Sequence, residues 1–338
     1  MKKTIYIAFV AALCMLASCT KQSIGVGPIV SGSSRSYIFF EPEVYNEVSS
    51  KAALLTEGNL PAAAGTAFGV LGYYGNTALF NGVTEVKRAV NAGPFDYEGL
   101  VAWQDNTTNH DFYAVYPYSL HSDVKPNNAN PYLSYTQPTS DDDMIDVLTA
   151  KTSTKKTSDN NVSLTFHHRL WALDVEITNS QIKGLDANGV IVDTPDLTIK
   201  TIKIYVKDFP KESNIPLDVA GTITYGDENI SPEEPYEIFV SSVYNTIEYQ
   251  KTETYGVLLF APVPANTFKY KLEITFEDSR GVESTFRHPY SGYKTSSNAF
   301  IGGRVYSLIV NKKDDVFVVG QFENNGNWTD VEVPHTFN

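Results

Sequence analysis

The chain has 338 residues, of which 42% are hydrophobic, 12% aromatic and 19% charged, a composition typical of a folded globular protein. Its formal net charge of −13 argues against nucleic acid as a partner, because nucleic-acid-binding proteins need a basic surface. Beyond the first apolar stretch, no run approaches the ~18 consecutive apolar residues of a membrane span.

The amino-terminal segment is predicted to be an export signal. Lys2 and Lys3 precede an apolar run, residues 5–16, that is too short to span a bilayer. The next residues, Ala17-Ser18-Cys19, complete a sequence that resembles the bacterial lipobox, which implies cleavage before Cys19 and acylation there by chains such as palmitate. We therefore predict a signal peptide over residues 1–18 and a lipid anchor on Cys19, since two or more acyl chains hold a protein stably. The alternative is an ordinary signal peptide with a coincidental cysteine.

Residues 19–36 are rich in Gly and Ser and predict a flexible tether. From Tyr37 onward, apolar and polar residues alternate, with many β-branched and aromatic side chains, which predicts short strands. The predicted strands are bounded by Gly, Pro, Asn or Asp and lie at residues 66–74, 111–116, 162–166, 173–177, 201–206, 222–225, 255–260, 270–276, 305–310 and 316–322. Within one of them, the spacing of Val162, Leu164 and Phe166 predicts a core-facing row.

Many short strands and no amphipathic helix of three or more turns predict an all-β fold. The length favours two domains. We place two β-sandwiches in tandem, at residues 37–178 and 179–338. Polar stretches at residues 151–161 and 180–195 break the strand rhythm.

Motifs for chemistry are absent from the sequence. Adjacent His167 and His168 would point to opposite faces of a strand and could not bind one ion. The acidic stretch at residues 141–143 lacks the glycine of a calcium loop. There is no G-x-S-x-G motif, and no thiol is left for a Cys–His pair, because Cys14 leaves with the signal and Cys19 carries lipid. We predict no enzymatic activity, no metal site and no cofactor.

Several aromatic and aliphatic segments carry a family resemblance. They are residues 37–40 (YIFF), 50–52 (SKA), 68–73 (FGVLGY), 113–117 (YAVYP), 146–150 (DVLTA), 162–170 (VSLTFHHRL) and 327–328 (NW). In this order they resemble the fimbrillin-like family of Bacteroidales surface proteins. The resemblance implies lipoprotein precursors of pilus subunits that are built from two transthyretin-like β-sandwiches.

The resemblance also implies an assembly mechanism, in which a first strand fills a groove of the N-terminal sandwich until a protease releases it. The C-terminal strand of another subunit then takes its place, a form of β-augmentation. By this resemblance the displaced strand comprises Tyr37, Ile38, Phe39 and Phe40. Either Tyr37 and Phe39 or Ile38 and Phe40 would face inward. The cleavage site is Lys51, where family members commonly have arginine, or alternatively Arg35. The donor strand comprises Val316, Phe317, Val318, Val319 and Phe322, with residues 329–333 as further donor material.

The implied function is a structural one, that of a stalk or tip subunit of a cell-surface pilus. The chain would be an outer-membrane lipoprotein first and part of a fimbrium after processing. Its partners would be other pilus subunits, the outer membrane, the processing protease and a host or glycan ligand. The alternative is a surface lipoprotein that does not polymerise and binds glycans through exposed aromatic side chains, which the 21 tyrosines could supply. Only polymerisation needs a cleavable first strand and a mobile last strand.

Overall fold

The computed structural model describes residues 36–44, 60–127, 130–140, 143–185, 187–189, 191–238, 240, 245–264, 268–278, 280–292 and 299–327. More than half of these residues lie in strands, and turns and loops with one short 3-10 helix at Tyr118–Asp123 connect them. The predicted all-β class is therefore confirmed. The described residues contain no helix that is long and apolar enough to cross a membrane.

The strands of the first half of the chain are β1 (Phe39–Val44), β2 (Ala67–Tyr74), β3 (Thr77–Ala78), β4 (Thr84–Arg88), β5 (Phe95–Asp96), β6 (His110–Tyr116), β7 (Val124–Lys125), β8 (Tyr132–Thr136), β9 (Leu148–Thr154) and β10 (Asn161–His168). The strands of the second half are β11 (Trp171–Asn179), β12 (Gly184–Leu185), β13 (Ile191–Asp193), β14 (Leu197–Lys207), β15 (Glu212–Pro216), β16 (Thr224–Tyr225), β17 (Pro235–Ile238), β18 (Thr246–Ile247), β19 (Thr252–Phe260), β20 (Val263–Pro264), β21 (Lys269–Glu277), β22 (Glu283–Gly292), β23 (Ala299–Phe300), β24 (Arg304–Lys313) and β25 (Val316–Asn327).

The largest sheet has eight strands and belongs to the first half of the chain. Its order is β1-β10-β9-β6-β2-β4-β5, with β3 paired to β2. Strand β1 runs parallel to β10, whereas the other pairs in this sheet are antiparallel. Strands β1 and β5 stand at opposite ends of this order and yet contact each other. The sheet therefore curls until its two edges meet.

Three further sheets carry most of the second half. Their orders are β19-β11-β24-β25, then β17-β14-β21-β22 with β18 paired to β14, and finally β16-β15-β8-β7. The last of these joins β7 and β8 from the first half to β15 and β16 from the second. Two strand pairs, β12-β13 and β20-β23, stand apart.

Two clusters of buried apolar side chains form the core. One lies under the eight-stranded sheet and includes the predicted row Val162, Leu164 and Phe166, all fully buried. The prediction that these three side chains face a core is confirmed. The other cluster is built mainly from the second half of the chain around Trp171, which stacks with Phe260 and Phe300 at 4.9 and 4.3 Å between ring centroids. Aromatic pairs of this kind add stabilisation beyond the area they bury.

The tandem division at residues 178 and 179 stays a proposal. Strand β11 lies almost entirely before the division but forms hydrogen bonds with β19 and β24, which lie after it. Strand β8 likewise pairs with β15 across the division. Two sheets therefore combine strands from both sides of the division, in addition to the sheets that each side forms by itself.

Candidate functional site

The predicted displaced strand corresponds to β1, which lies at the edge of the eight-stranded sheet. Its ladder with β10 runs from Phe39, opposite Asn161, to Val44, opposite Phe166. The preceding residue Tyr37 forms a separate antiparallel bridge with Ala102. The strand therefore begins and ends later than the predicted segment 37–40, and it includes Pro42 and Val44, which sequence reasoning missed.

Alternate side chains of β1 and of the residue before it point into the core. Ile38 is fully buried, Phe40 and Val44 are each 4% exposed, and Pro42 is also buried. Glu41 and Glu43 between them are exposed. Of the two inward pairs left open by the sequence, the structure selects Ile38 and Phe40, whereas Tyr37 and Phe39 are half-buried.

Phe40 occupies a groove that we call the β1 groove, formed by Phe68, Phe80, Tyr97 and Phe112. Its ring centroid lies 6.4, 6.2, 5.8 and 5.7 Å from those of the four residues, respectively. The two rings nearest to perpendicular with it are those of Phe68 and Phe112, a preferred arrangement for aromatic pairs. The groove residues and the buried side chains of β1 belong to the same core cluster, so β1 closes one side of this core.

Backbone and hydroxyl hydrogen bonds fix the start of β1. The N–H of Ile38 donates to the carbonyl oxygen of Val101 at 2.9 Å, and the N–H of Trp103 donates to that of Ser36 at 3.0 Å. The hydroxyl of Tyr97 donates to the carbonyl oxygen of Ile38 at 2.9 Å and accepts from the N–H of Val101 at 3.1 Å. Burial raises the pKa of Tyr97 to about 12.

The outer side of β1 tolerates a proline for a simple geometric reason. The N–H of Phe39 donates to Asn160 beside β10, whereas the N–H of Ile38 points the other way, to Val101. Since successive N–H groups of a strand alternate in direction, position 42 belongs to the side that faces away from β10. Pro42 therefore removes no hydrogen bond of the ladder, as expected for proline on an edge strand.

The predicted donor segment forms β25, the edge strand of the sheet β19-β11-β24-β25. It pairs antiparallel with β24, from Val316 opposite Lys313 to Asn327 opposite Arg304, so the backbone of Phe322 lies in this ladder. Phe317 is 6% exposed and lies 4.9 Å from each of the rings of Phe276 and Phe286.

At the start of β25 the opposite face is apolar and open. Val316 is 61% exposed and Val318 is 52% exposed, whereas Val319 is half-buried against the core. Exposed β-branched side chains on an edge strand are unusual, because natural sheets protect their edges with charges or irregularities.

The remaining predicted site residues, Cys19, Lys51 and Arg35, lie outside the described residues, as do residues 329–333. The predicted lipid anchor and cleavage sites therefore stay predictions. Among the described residues, no group of three His, Cys, Asp or Glu side chains could hold a metal ion. His168 instead places its Nδ1 3.0 Å from the carboxylate of Asp146.

The family assignment follows from a comparison of the sequence with family models. A model described as fimbrillin-like matches residues 56–321, most of the chain. The chain belongs to the fimbrillin-like family. Membership of this family supports the assignment of a pilus subunit at the cell surface and suggests a protein that is not an enzyme. A search of curated protein sequences finds no match.

Solved structures with the same fold come from Bacteroides. A fimbrial protein from Bacteroides vulgatus is 17% identical, with a TM-score of 0.60 over 87% of this chain and 99% of that one. A candidate cell adhesion protein from Bacteroides ovatus is 14% identical, with a TM-score of 0.52 over 86% of this chain and 98% of that one. At such identities the likeness shows the fold alone.

Proposed function

We propose that this chain is a stalk or tip subunit of a pilus, exported as a lipoprotein and assembled by strand exchange at the β1 groove. In the proposed reaction a protease cuts the chain after β1, and an apolar strand of a neighbouring subunit replaces β1. The observation that supports this most strongly is that β1, an edge strand bound to one partner strand, closes the N-terminal core with alternate apolar side chains.

The energetics of β1 depend on its attachment to the rest of the chain. Three large side chains, those of Ile38, Phe40 and Val44, are almost fully buried, and each such burial is worth roughly 1.5–3 kcal/mol. While β1 is part of the folded chain, this burial holds it in place. Cleavage at Lys51 would make β1 part of a separate peptide, which can dissociate and dilute. A strand still attached to a folded neighbour can then compete successfully.

The exposed start of β25 supports this strand as the donor. Val316 and Val318 lie two positions apart and expose apolar side chains, the same spacing as that of the buried Ile38 and Phe40. Backbone hydrogen bonds would supply affinity, and the alternate side chains would fix the register.

The test is a reversible covalent lock on β1. Glu41 and Ser163 are opposite each other in the β1-β10 ladder, and both are exposed. A variant with Glu41→Cys and Ser163→Cys, with Cys14→Ala and Cys19→Ala to leave no other thiol, would tie β1 to the sheet when oxidised. A specific protease sequence inserted between Lys51 and Ala52 allows cleavage at will. After cleavage, we expect concentration-dependent oligomers only when the disulfide is reduced, as measured by native mass spectrometry.

A matched control lock joins two neighbouring strands of a different sheet. Thr275 on β21 and Thr285 on β22 are ladder partners. A disulfide formed by Thr275→Cys and Thr285→Cys should leave assembly unchanged. Deletion of residues 316–338 should abolish assembly if circular dichroism shows that the body stays folded. Monomers after cleavage under reducing conditions, or oligomers that form equally with β1 locked, would contradict strand exchange.

The lipid anchor needs its own test. Cys19→Ala removes the sulfur that would carry the lipid, so the variant should leave the membrane fraction or keep its signal peptide. Cys14→Ala is the matched control and should behave like the natural chain. Normal processing and membrane partition of Cys19→Ala would exclude the lipoprotein assignment.

A further inference from the structure

A cavity of about 500 Å³ lies beside the end of β10 and is separate from the β1 groove. Its wall combines four short segments of the chain. Two of them, at residues 168–169 and 300–302, are joined by a hydrogen bond from the N–H of Gly303 to the carbonyl oxygen of Leu170 at 2.7 Å. The apolar wall residues are Val219, Ile223, Tyr225, Val263, Phe300 and Ile301. Cavities of this size and composition are typical of small-molecule sites.

A single buried charge lies in this apolar wall. Arg169 is 5% exposed, and its Nε is buried without a hydrogen-bond partner. No described residue accepts a hydrogen bond from its guanidinium group. Of the neighbouring acidic groups, Asp218 interacts with it electrostatically, but that carboxylate is bound to Lys151 at 2.7 Å. Buried charges in proteins are normally paired, so a guanidinium of this kind needs an explanation.

The backbone of Arg169 is held firmly, which fixes the point from which its side chain starts. Its N–H donates to the carbonyl oxygen of Val147 at 2.8 Å. Gly302 lies so close that a Cβ atom there would be 2.6 Å from the carbonyl oxygen of Arg169. Burial lowers the pKa of Arg169 to about 10, which leaves the group protonated at neutral pH.

The mouth of the cavity is apolar as well. The side chains of Val219, Tyr225 and Ile301 line it and are large, apolar and exposed to water, at 52%, 37% and 47% respectively. Grouped exposed apolar side chains often mark a binding site. A ligand that covers them would remove this surface from water.

We propose that this cavity binds a small organic anion in which one carboxylate is attached to an apolar body. The carboxylate would accept hydrogen bonds from Arg169, whose planar fork matches it, and the body would lie against Val263 and Phe300. One positive charge in an apolar wall favours a monoanion, because a second negative charge would be buried without a partner. A neutral ligand would leave the guanidinium uncompensated.

The experiment is calorimetric titration of the full chain with acids and their matched amides. Decanoate tests a linear apolar body and 4-phenylbutyrate tests a ring, each compared with its neutral amide. We expect at least one acid to bind at least about tenfold more tightly than its amide, the effect of one charge-assisted hydrogen bond. Equal binding of acid and amide, or no binding of either acid, would overturn the proposal.

Two variants assign the effect to this cavity. Arg169→Met keeps an apolar side chain of similar length and should abolish the preference for the acid. Arg287 is exposed, so Arg287→Met removes the same charge elsewhere and should leave the preference unchanged.

If Arg169→Met does not fold, Val219→Glu provides the test, because it places a repelling carboxylate at the exposed mouth of the cavity. It should weaken the acid severalfold and leave the amide within about twofold. An acid preference that survives both changes would exclude this site. None of the cavity residues belongs to β1 or β25, so the outcome is independent of strand exchange.

Discussion

The first and last strands of the described chain are both edge strands, but they are held in different ways. Strand β1 has six residues, runs parallel to its partner and buries alternate side chains, of which Phe40 lies in an aromatic groove. Strand β25 has twelve residues and runs antiparallel, with Phe317 buried and Val316 and Val318 exposed. Side-chain burial therefore dominates at β1, whereas a long ladder dominates at β25.

This difference indicates what each edge can exchange. A groove that recognises alternate apolar side chains can accept any strand with the same alternation, since main-chain hydrogen bonds do not depend on sequence. Val316 and Val318 at the exposed start of β25 offer two such side chains that are not buried in their own sheet. In the proposed exchange the groove would thus select a strand by its apolar side chains, and β25 would supply such side chains.

The largest expected effect is at the β1 groove. Phe40→Ala removes a buried ring that contacts four others and should lower the free energy of unfolding by about 3–5 kcal/mol. Urea denaturation measures it. Phe39→Ala is the matched control, because the adjacent ring is half-buried on the opposite face, and it should cost clearly less. Equal costs would mean that the inward and outward faces of β1 are exchanged.

At the other edge the same truncation should cost less. Phe317→Ala leaves the rings of Phe276 and Phe286 partly uncovered, and we expect a loss of about 3 kcal/mol, the lower end of the range for buried phenylalanine. Its neighbour Val318→Ala changes an exposed side chain and should stay within about 0.5 kcal/mol. A larger loss for Phe317→Ala than for Phe40→Ala would reverse the comparison between the two edges.

The sequence predicts the two strands well but leaves the orientation of the first one open. Tyr37, Ile38, Phe39 and Phe40 are all apolar or aromatic, so these four residues alone do not show which face is buried. The signal lies two residues further on, because Glu41 and Glu43 place the odd-numbered positions in water. Reading the alternation through to Val44 would have selected Ile38 and Phe40.

Other features of the fold depend on contacts that are distant in sequence. Strand β9 continues to Thr154 in a stretch whose polarity predicts a break, and β22 contains Pro289 in a largely exposed strand. Both are accounted for by pairing: β9 lies between β10 and β6, and β22 is an edge strand, where proline is tolerated. Tyr97 and Trp103 also secure β1 from about sixty positions away, and no local pattern reveals such contacts.

A buried carboxyl group gives the sheet of β25 a pH dependence. Asp174 on β11 is fully buried, and burial, with a smaller contribution from Glu176, raises its pKa to about 7. Between about pH 4 and pH 7 the folded state keeps a proton that the unfolded state has lost. The free energy of unfolding should therefore fall as the pH rises through this window and level off above it.

Asp174→Asn removes the titrating group and isolates this effect. At pH 8 we expect the variant to be more stable than the natural chain by on the order of 2 kcal/mol, and near pH 4 the two should be similar. Asp123→Asn is the matched control at an exposed carboxylate and should change neither value. Urea denaturation at several pH values measures the difference, and a difference that does not vary with pH would rule out Asp174 as its source.

The smallest effect is expected from a single hydroxyl group at the start of β1. Tyr97→Phe keeps the ring in the groove but removes the hydroxyl that joins the carbonyl oxygen of Ile38 to the N–H of Val101. The carbonyl oxygen of Ile38 and the half-buried N–H of Val101 would each lose a partner, so we expect a loss of about 1–2 kcal/mol and faster hydrogen exchange at the amides of β1. Tyr290→Phe is the matched control: its hydroxyl also donates to a backbone carbonyl, that of Pro232 at 2.6 Å, but the residue is 39% exposed and water can replace the bond. That variant should lose no more than about 0.5 kcal/mol. Because the ring of Tyr97 is unchanged, faster hydrogen exchange confined to β1 would separate the hydrogen bonds at its start from the packing of Phe40. Equal losses of stability in Tyr97→Phe and Tyr290→Phe would show that β1 is held by its side chains alone.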